Sequence, residues 1–391
     1  MANLVYAMSG EGRGHATRAR AVIEALRGRH TLTVFASDCA LALLSDLYRD
    51  SDVEVLPIPG LRFAYTGPGR VALLRTLGLA ARFRWSLARH VTAALRVLDR
   101  IRPDLVIADF EPILPRAARA AGVPFVSFDH QHYLVVSDLS CLPFGLRQQA
   151  RAAAPWVRAL YDWQQATIVS SFYAPPLRPE HRDTTWVGTL LRPEVLRARA
   201  QVGQHLVAYV RRQAAASTLT ALAASGRDVR VYGLGAHPQQ GRVRFLSIDE
   251  RRFLADLASC AALVSTAGNQ LVGEALYLRK PLLVMPEALN FEQSVNAYFV
   301  ERTGAGWAER GTLTAARLAA FLEAIPALQP RIHPDSVCGN QAAVEALEAQ
   351  VPAQRSSAVP QARRPSVAGG TGAGMGAGAG ATPPARGWGW A

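Results

Sequence analysis

The chain has 391 residues, half of them hydrophobic and 19% charged, with a formal net charge of +13. That balance excludes fibrous, collagen-like and disordered classes, and the length exceeds what one hydrophobic core fills, so two domains are expected. No run of 18 or more apolar residues occurs and the N-terminus MANLVYAMSGEGRGH lacks a signal-peptide pattern, which predicts a cytoplasmic protein.

In chain order, short apolar runs alternate with longer helical patterns, as in βαβ units on parallel sheets. Strands are expected at 3–8, 31–36, 53–57, 104–108 and 124–128, then at 205–210, 229–233, 242–246, 261–265 and 281–285. This is an α/β chain with two doubly wound, Rossmann-like domains: 1–170, a proline-rich connection over 171–200, and 201–350. From 351 onward nine of the last 23 residues are Gly, and a tail of that composition is expected to be disordered.

The first strand runs into Ser9-Gly10-Glu11-Gly12-Arg13-Gly14-His15 and then a helical pattern. Gly12 and Gly14 let the backbone turn sharply and bring helix N-terminal amides close to a ligand. The spacing is not that of a nicotinamide fingerprint. His15 follows this turn at the carboxyl edge of the first strand, where ligands of α/β sheets sit, and a histidine there suits proton removal from a hydroxyl. It is also a residue type that packs helices. Asp109 closes the run DLVIAD at the equivalent edge and has two readings, orienting His15 or capping the next helix.

The segment from Phe128 to Tyr133 carries His130 and His132 after another strand, as acceptor contacts or a plain polar loop. Over 70–101, Arg75, Arg82, Arg89 and Arg96 recur at seven-residue spacing opposite Leu87, Val91, Leu95 and Leu98. That pattern fits a basic face at anionic lipid and a solvated helix face equally, with Gly78 a candidate break. The arginines are scattered and not interleaved with aromatics, which argues against nucleic acid. Cys39, Cys141, Cys260 and Cys338 have no metal or disulfide spacing and read as buried free thiols. Asp50-Ser51-Asp52 reads as an exposed turn.

In the second half, VSTAGNQLVGEAL places Thr266, Gly268, Asn269 and Glu274 at a strand-to-helix turn. KPLLVMP and FEQSVNA follow, with Glu292 and Gln293 opening a helix. The order GEGRGH, VSTAGNQLVGEAL, KPLLVMP, FEQSVNA, GAG resembles the GT-B glycosyltransferases over residues 3–350, close to the lipid II-forming N-acetylglucosaminyltransferase and the UDP-glycosyltransferases.

The resemblance implies two Rossmann-like domains facing a cleft, with transfer of a sugar from a nucleotide-diphosphate donor, most simply a UDP-sugar, to an acceptor hydroxyl with inversion and without a metal. The nucleotide sugar is a co-substrate and no cofactor is implied. The acceptor is a small molecule or a lipid-linked one, the latter placing the protein peripherally on the inner face of the membrane. His15 matches the catalytic histidine and Asp109 its aspartate. Glu274 matches the glutamate at the ribose hydroxyls, Gly268 the glycine at the diphosphate, and Glu292 and Gln293 the pair at the donor sugar; Thr266 and Asn269 join them in the donor turn.

Thr266 departs from the histidine of plant-type members. The glycine-rich loop after the first strand of the second domain is replaced by Tyr209-Val210-Arg211-Arg212-Gln213, where Arg211 or Arg212 is a candidate to supply positive charge for the diphosphate, the other reading being solvated loop arginines. The tail has no counterpart. A nucleotide-sugar 2-epimerase and a non-catalytic nucleotide-sugar-binding protein are the alternatives on the same scaffold.

Overall fold

A computed structural model describes residues 1–10, 13–60, 65–66, 70–71, 73–210, 216–287 and 290–352. Gly12, Arg211 and the tail beyond residue 352 lie outside these residues.

The first half builds strands β1 (Asn3–Met8), β2 (Thr31–Ala36), β3 (Glu54–Pro57), a small antiparallel hairpin β4 (Tyr65–Thr66) and β5 (Arg70–Val71), then β6 (Leu105–Asp109), β7 (Phe125–Asp129), β8 (Ala166–Ser170) and β9 (Thr185–Val187). Seven of them form one parallel sheet in the order β3-β2-β1-β6-β7-β8-β9. The second half adds β10 (Leu206–Tyr209), β11 (Val229–Tyr232), β12 (His237–Gln240), β13 (Val243–Leu246), β14 (Ala262–Ser265), β15 (Leu282–Val284) and β16 (Gly306–Ala308). Their order is β12-β13-β11-β10-β14-β15-β16, parallel except where β12 meets β13. This is the expected pair of doubly wound sheets. All ten strands read from the sequence are present within a residue at either end.

The helices are α1 (Arg13–Leu26), α2 (Asp38–Leu47), α3 (Leu73–Ile101), α4 (Ile113–Ala121), α5 (Tyr133–Val136), α6 (Phe144–Leu160), α7 (Pro193–Arg197), α8 (Ala216–Ala223), α9 (Glu250–Ser259), α10 (Asn269–Tyr277), α11 (Phe291–Thr303), α12 (Ala315–Leu328) and α13 (Asn340–Glu348). Helices on both faces bury β1 on both sides, which is why NLVYAM reads as a continuous apolar run rather than an alternating one. Leu4, Tyr6 and Met8 join one core with Val22, Ile23 and Leu26 of α1, while Val5 and Ala7 join the opposite core with Phe35, Val106 and residues of α4. In α1 the buried Ala19, Val22, Ile23 and Leu26 recur at three- and four-residue steps, the period of one helical face.

Three expectations change. Residues 171–200 are more than a connection, because Thr185–Val187 pairs in parallel with β8 and closes the edge of the first sheet. Helix α13, grouped by sequence with 201–350, returns to the first sheet: Ala343 and Leu347 enter the core around α1, and Glu348 meets His30 at 2.9 Å and Arg29 at 3.1 Å. A three-residue strand and a short amphipathic helix carry a buried face but no signal of which partner covers it. Of the four thiols only Cys260 is buried, and burial pushes it up to about 12; Cys39, Cys141 and Cys338 are exposed.

Helix α3 runs unbroken through Gly78, with Arg75, Arg82, Arg89 and Arg96 exposed and Leu87, Val91, Leu95 and Leu98 packed on the first sheet. No helix among the described residues is long and apolar enough to cross a membrane.

Candidate functional site

Strand order reverses on either side of β1, since β2 and β6 flank it, and β1 and β6 therefore splay their connections to opposite faces. The crevice this leaves at the carboxyl edge is where doubly wound sheets bind ligands. Met8 pairs in register with Asp109, the Ser9 amide donates to the Asp109 carbonyl at 3.0 Å, and the chain turns at Gly10 into α1. A Cβ on Gly10 would stand 2.0 Å from the Ser37 carbonyl oxygen, so only glycine lets this turn lie against the β2–α2 turn.

His15, on the first turn of α1, comes over the end of β6. Its Nδ1 is 3.0 Å from Asp109 Oδ1, with 14% of the histidine side chain and none of the aspartate side chain exposed. The Asp109 carboxylate thus faces His15 and not the start of the following helix. The following helix is capped instead by Glu111, whose carboxylate accepts from the amides of Ile113 at 2.7 Å and Leu114 at 2.8 Å. Burial pushes Glu111 up to about 7.

Arg18, which sequence reasoning passed over, is the third member of this cluster. Its Nε donates to Asp109 Oδ2 at 2.9 Å, its Nη2 donates to Asp109 Oδ1, and the same Nη2 is 2.9 Å from His15 Nδ1. Tyr6 adds a long contact from its hydroxyl to Asp109 Oδ2 at 3.4 Å. Burial alone would raise the Asp109 carboxyl, but the charges and hydrogen bonds of Arg18 and His15 hold it below the ordinary carboxylate range. The available signal was spacing: residues three apart share a helix face, so Arg18 was bound to lie beside His15.

The second sheet reverses order at β10, between β11 and β14. After β14 the chain passes through Thr266 and Gly268 into α10. A Cβ on Gly268 would meet nothing within 4 Å, so this turn borders open space. Asn269 is buried and holds the turn to the first sheet: its Nδ2 donates to the Ser170 carbonyl at 3.2 Å and its Oδ1 accepts from Ser171 at 3.3 Å. The two strand-to-helix turns converge, since α1 packs on α10 and a Cβ on Gly14 would stand 3.9 Å from the Gln270 Cβ.

Glu274 is 3% exposed and takes both nitrogens of a fork from Arg192, Nε to Oε1 and Nη2 to Oε2, each at 3.2 Å. Arg192 also reaches Glu250 at 3.4 Å, and Arg20 of α1 reaches Glu250 at 3.2 Å and Glu194. The glutamate expected at the ribose is thus one end of a charged chain running back to the helix that carries His15. Arg192 lies in the proline-rich stretch and gave no sequence signal.

Glu292 stands at the start of α11, where its Oε2 accepts from Gln131 at 3.3 Å. Gln293 is buried and engages Glu287 twice, accepting from its amide at 2.8 Å and donating to its carboxylate at 3.0 Å. His130 lies between the sheets, within 3.2 Å of both the Ser170 carbonyl and Asn296 Oδ1, and burial lowers its basicity. His132 is turned inward against Asp129 at 2.7 Å and stacked on Tyr161. Both histidines are about 1% exposed, so neither presents a ring to solvent. Asp50-Ser51-Asp52 is an exposed turn, as expected.

Of the thirteen candidate residues, Gly12 and Arg211 lie outside the described residues. Gly14, His15 and Asp109 gather at one turn, Thr266, Gly268, Asn269 and Glu274 at a second beside it, and Glu292 and Gln293 on the next helix.

Comparison with known proteins agrees with this fold. The plant enzyme Phytolacca americana UGT2, solved with UDP-2-fluoro-glucose and pterostilbene, is similar in fold, with a TM-score of 0.66 at 15% identity over 89% of this chain and 99% of that one. The spinosyn rhamnosyltransferase SpnG, solved with thymidine diphosphate, gives a TM-score of 0.58 at 16% identity over 89% and 100%. The PGL/p-HBAD biosynthesis rhamnosyltransferase of Mycobacterium bovis (strain BCG / Pasteur 1173P2) is 42% identical over 48 residues, only 12% of this chain and 11% of that one. The fold is GT-B, and because the family model described as glycosyl transferase family 1 matches residues 2–326, the chain belongs to that glycosyltransferase family.

Proposed function

We propose that the protein transfers a sugar from a nucleoside-diphosphate donor to an acceptor hydroxyl, with inversion, using His15 as the base. The observation that carries this reading is the convergence of two turns: one holds a histidine oriented by a buried carboxylate, and the other presents the open start of α10 a few ångströms away. The acceptor oxygen attacks the anomeric carbon, its proton passes to His15 Nε2, and the bond to the diphosphate breaks with its electron pair leaving on the phosphate. A single displacement inverts the centre. Asp109 stabilises the imidazolium as it forms, and the amides at the start of α10 meet the charge growing on the leaving group. This account asks for no metal.

Glu274 is the acceptor for the sugar hydroxyls of the nucleoside, and Glu292 with Gln293 the contacts for the donor sugar. Related folds hold UDP and thymidine diphosphate, so the test is thermal unfolding with UDP, dTDP and GDP, each with and without EDTA. A ligand at one hundred times its Kd stabilises the native state by about 2.7 kcal/mol. One of the first two is expected to raise the midpoint equally in both buffers; a panel with no effect would overturn the reading.

A lipid-linked acceptor is favoured by one surface feature. Trp85 is 90% exposed on α3, bordered by Arg82 and Arg89, at the centre of the arginine stripe. Tryptophan flanked by cations suits the boundary between headgroups and acyl chains of an anionic leaflet, and this supports the reading of a protein held peripherally on the inner face. Sedimentation with phosphatidylserine-containing vesicles is expected to carry the protein down, with binding lost in Trp85→Ala and in high salt. Equal recovery in the supernatant with charged and pure phosphatidylcholine vesicles would refute membrane contact.

A further inference from the structure

We propose that Arg18 is a positioning residue of the reaction: its guanidinium keeps Asp109 ionised and holds the carboxylate with Oδ1 facing His15 Nδ1. The inference rests on His15 being the base, as argued above, and adds a requirement to it. To accept a proton at Nε2 the imidazole must be neutral in the resting enzyme, with its own proton on Nδ1 and directed at Asp109. A neutral imidazole brings no positive charge. Asp109 is fully buried, and a carboxylate in that position without a cation takes up a proton and loses the charge that orients and stabilises the imidazole.

Arg18 supplies the permanent charge. It is 4% exposed, and it grips the carboxylate side-on through Nε and Nη2, the two-point geometry that fixes a carboxylate plane. Among the described residues, the other ionisable groups near the pair are Tyr6 on β1, Asp129 on β7 and Tyr161 beyond α6; Asp129 is itself paired with His132, and none of them is cationic toward Asp109. The contact of Nη2 with His15 Nδ1 also admits a rival arrangement, in which Nδ1 accepts from Arg18 and the ring proton sits on Nε2. That tautomer has no free basic nitrogen toward substrate, so the two arrangements make opposite statements about the ring.

The experiment uses the full chain labelled with 13C at aspartate side-chain carboxyls and 15N in histidine rings, as wild type, Arg18→Gln and Arg18→Lys. In the wild type the Asp109 carboxyl stays ionised across about pH 5 to 8 and His15 carries its proton on Nδ1. In Arg18→Gln the carboxyl titrates within that window, kcat falls by about a hundredfold with the donor KM little changed, and the acid limb of the kcat profile moves to higher pH. The direction follows from burial, which raises Asp109 once its cation is gone, so activity is lost sooner as pH falls. Arg18→Lys keeps Asp109 ionised and recovers part of kcat, and it stands in if the glutamine variant does not fold. A wild-type ring protonated on Nε2, a carboxyl that stays ionised in Arg18→Gln, or an unchanged kcat profile would each overturn the proposal. A wild type without transferase activity would instead overturn the function proposed above, and the carboxyl and ring resonances would still decide the role of Arg18.

Discussion

Replacing His15 by alanine is expected to lower kcat by about 10²- to 10⁴-fold, the range a positioned general base contributes, while nucleotide affinity stays within a few-fold. His15 is the right residue for this test because the fold does not lean on it. It is partly exposed, and Asp109 keeps both of its bonds to Arg18 when the imidazole is gone. The midpoint of thermal unfolding should therefore move little. Single-turnover transfer measured beside nucleotide titration decides the matter, and an alanine variant with wild-type turnover would remove His15 from the chemistry.

Asp109→Asn is a poorer probe, since it strands Arg18 in the interior. Losing one partner of a buried pair costs about 3–5 kcal/mol. The same pair predicts an acid sensitivity. The carboxyl is held below its unfolded value, so its contribution to stability is present at neutral pH and disappears as pH falls through the folded value.

The second large effect concerns Glu274, which on the proposed function serves both Arg192 and the nucleoside. In the structure both of its oxygens take hydrogen bonds from Arg192, and only 3% of the residue is exposed. Arg192→Ala is expected to cost about 3–5 kcal/mol in urea unfolding, because it leaves Glu274 buried without its counterion, and Glu274→Ala is expected to cost less, because Arg192 keeps its longer contact with Glu250. Nucleotide binding should separate them. The glutamate variant loses the acceptor for the nucleoside hydroxyls and with it most of the affinity. The arginine variant keeps the Glu274 side chain, whose carbonyl oxygen still accepts after burial without the cation has protonated it, and calorimetry should return a smaller loss of affinity than in the glutamate variant. Equal losses in both would mean that the pair acts only as scaffold, or that Arg192 itself touches the ligand.

Much of this site was legible from the chain alone because strand, glycine turn and helix are contiguous there. A buried strand run followed by three glycines and a histidine specifies where the backbone turns and which end of the sheet the imidazole reaches. Thr266, Gly268 and Glu274 are placed in the same way, by a strand of four residues and the helix that follows. The three-residue strands at 185–187 and 306–308 were not legible, since so short a run shows no period, and neither was the return of α13 to the first sheet.

What the sequence determined by itself was local: strand limits, the turns that must be glycine, and a family pattern spread over most of the chain. Tertiary structure decided which charges meet. Arg18 and Asp109 are 91 residues apart, and Arg192 and Glu274 are 82 apart. An arginine reads the same in a sequence whether it ends in water or beside a carboxylate, because the cost of burying it and the attraction that offsets that cost both arise only when separate elements close around it.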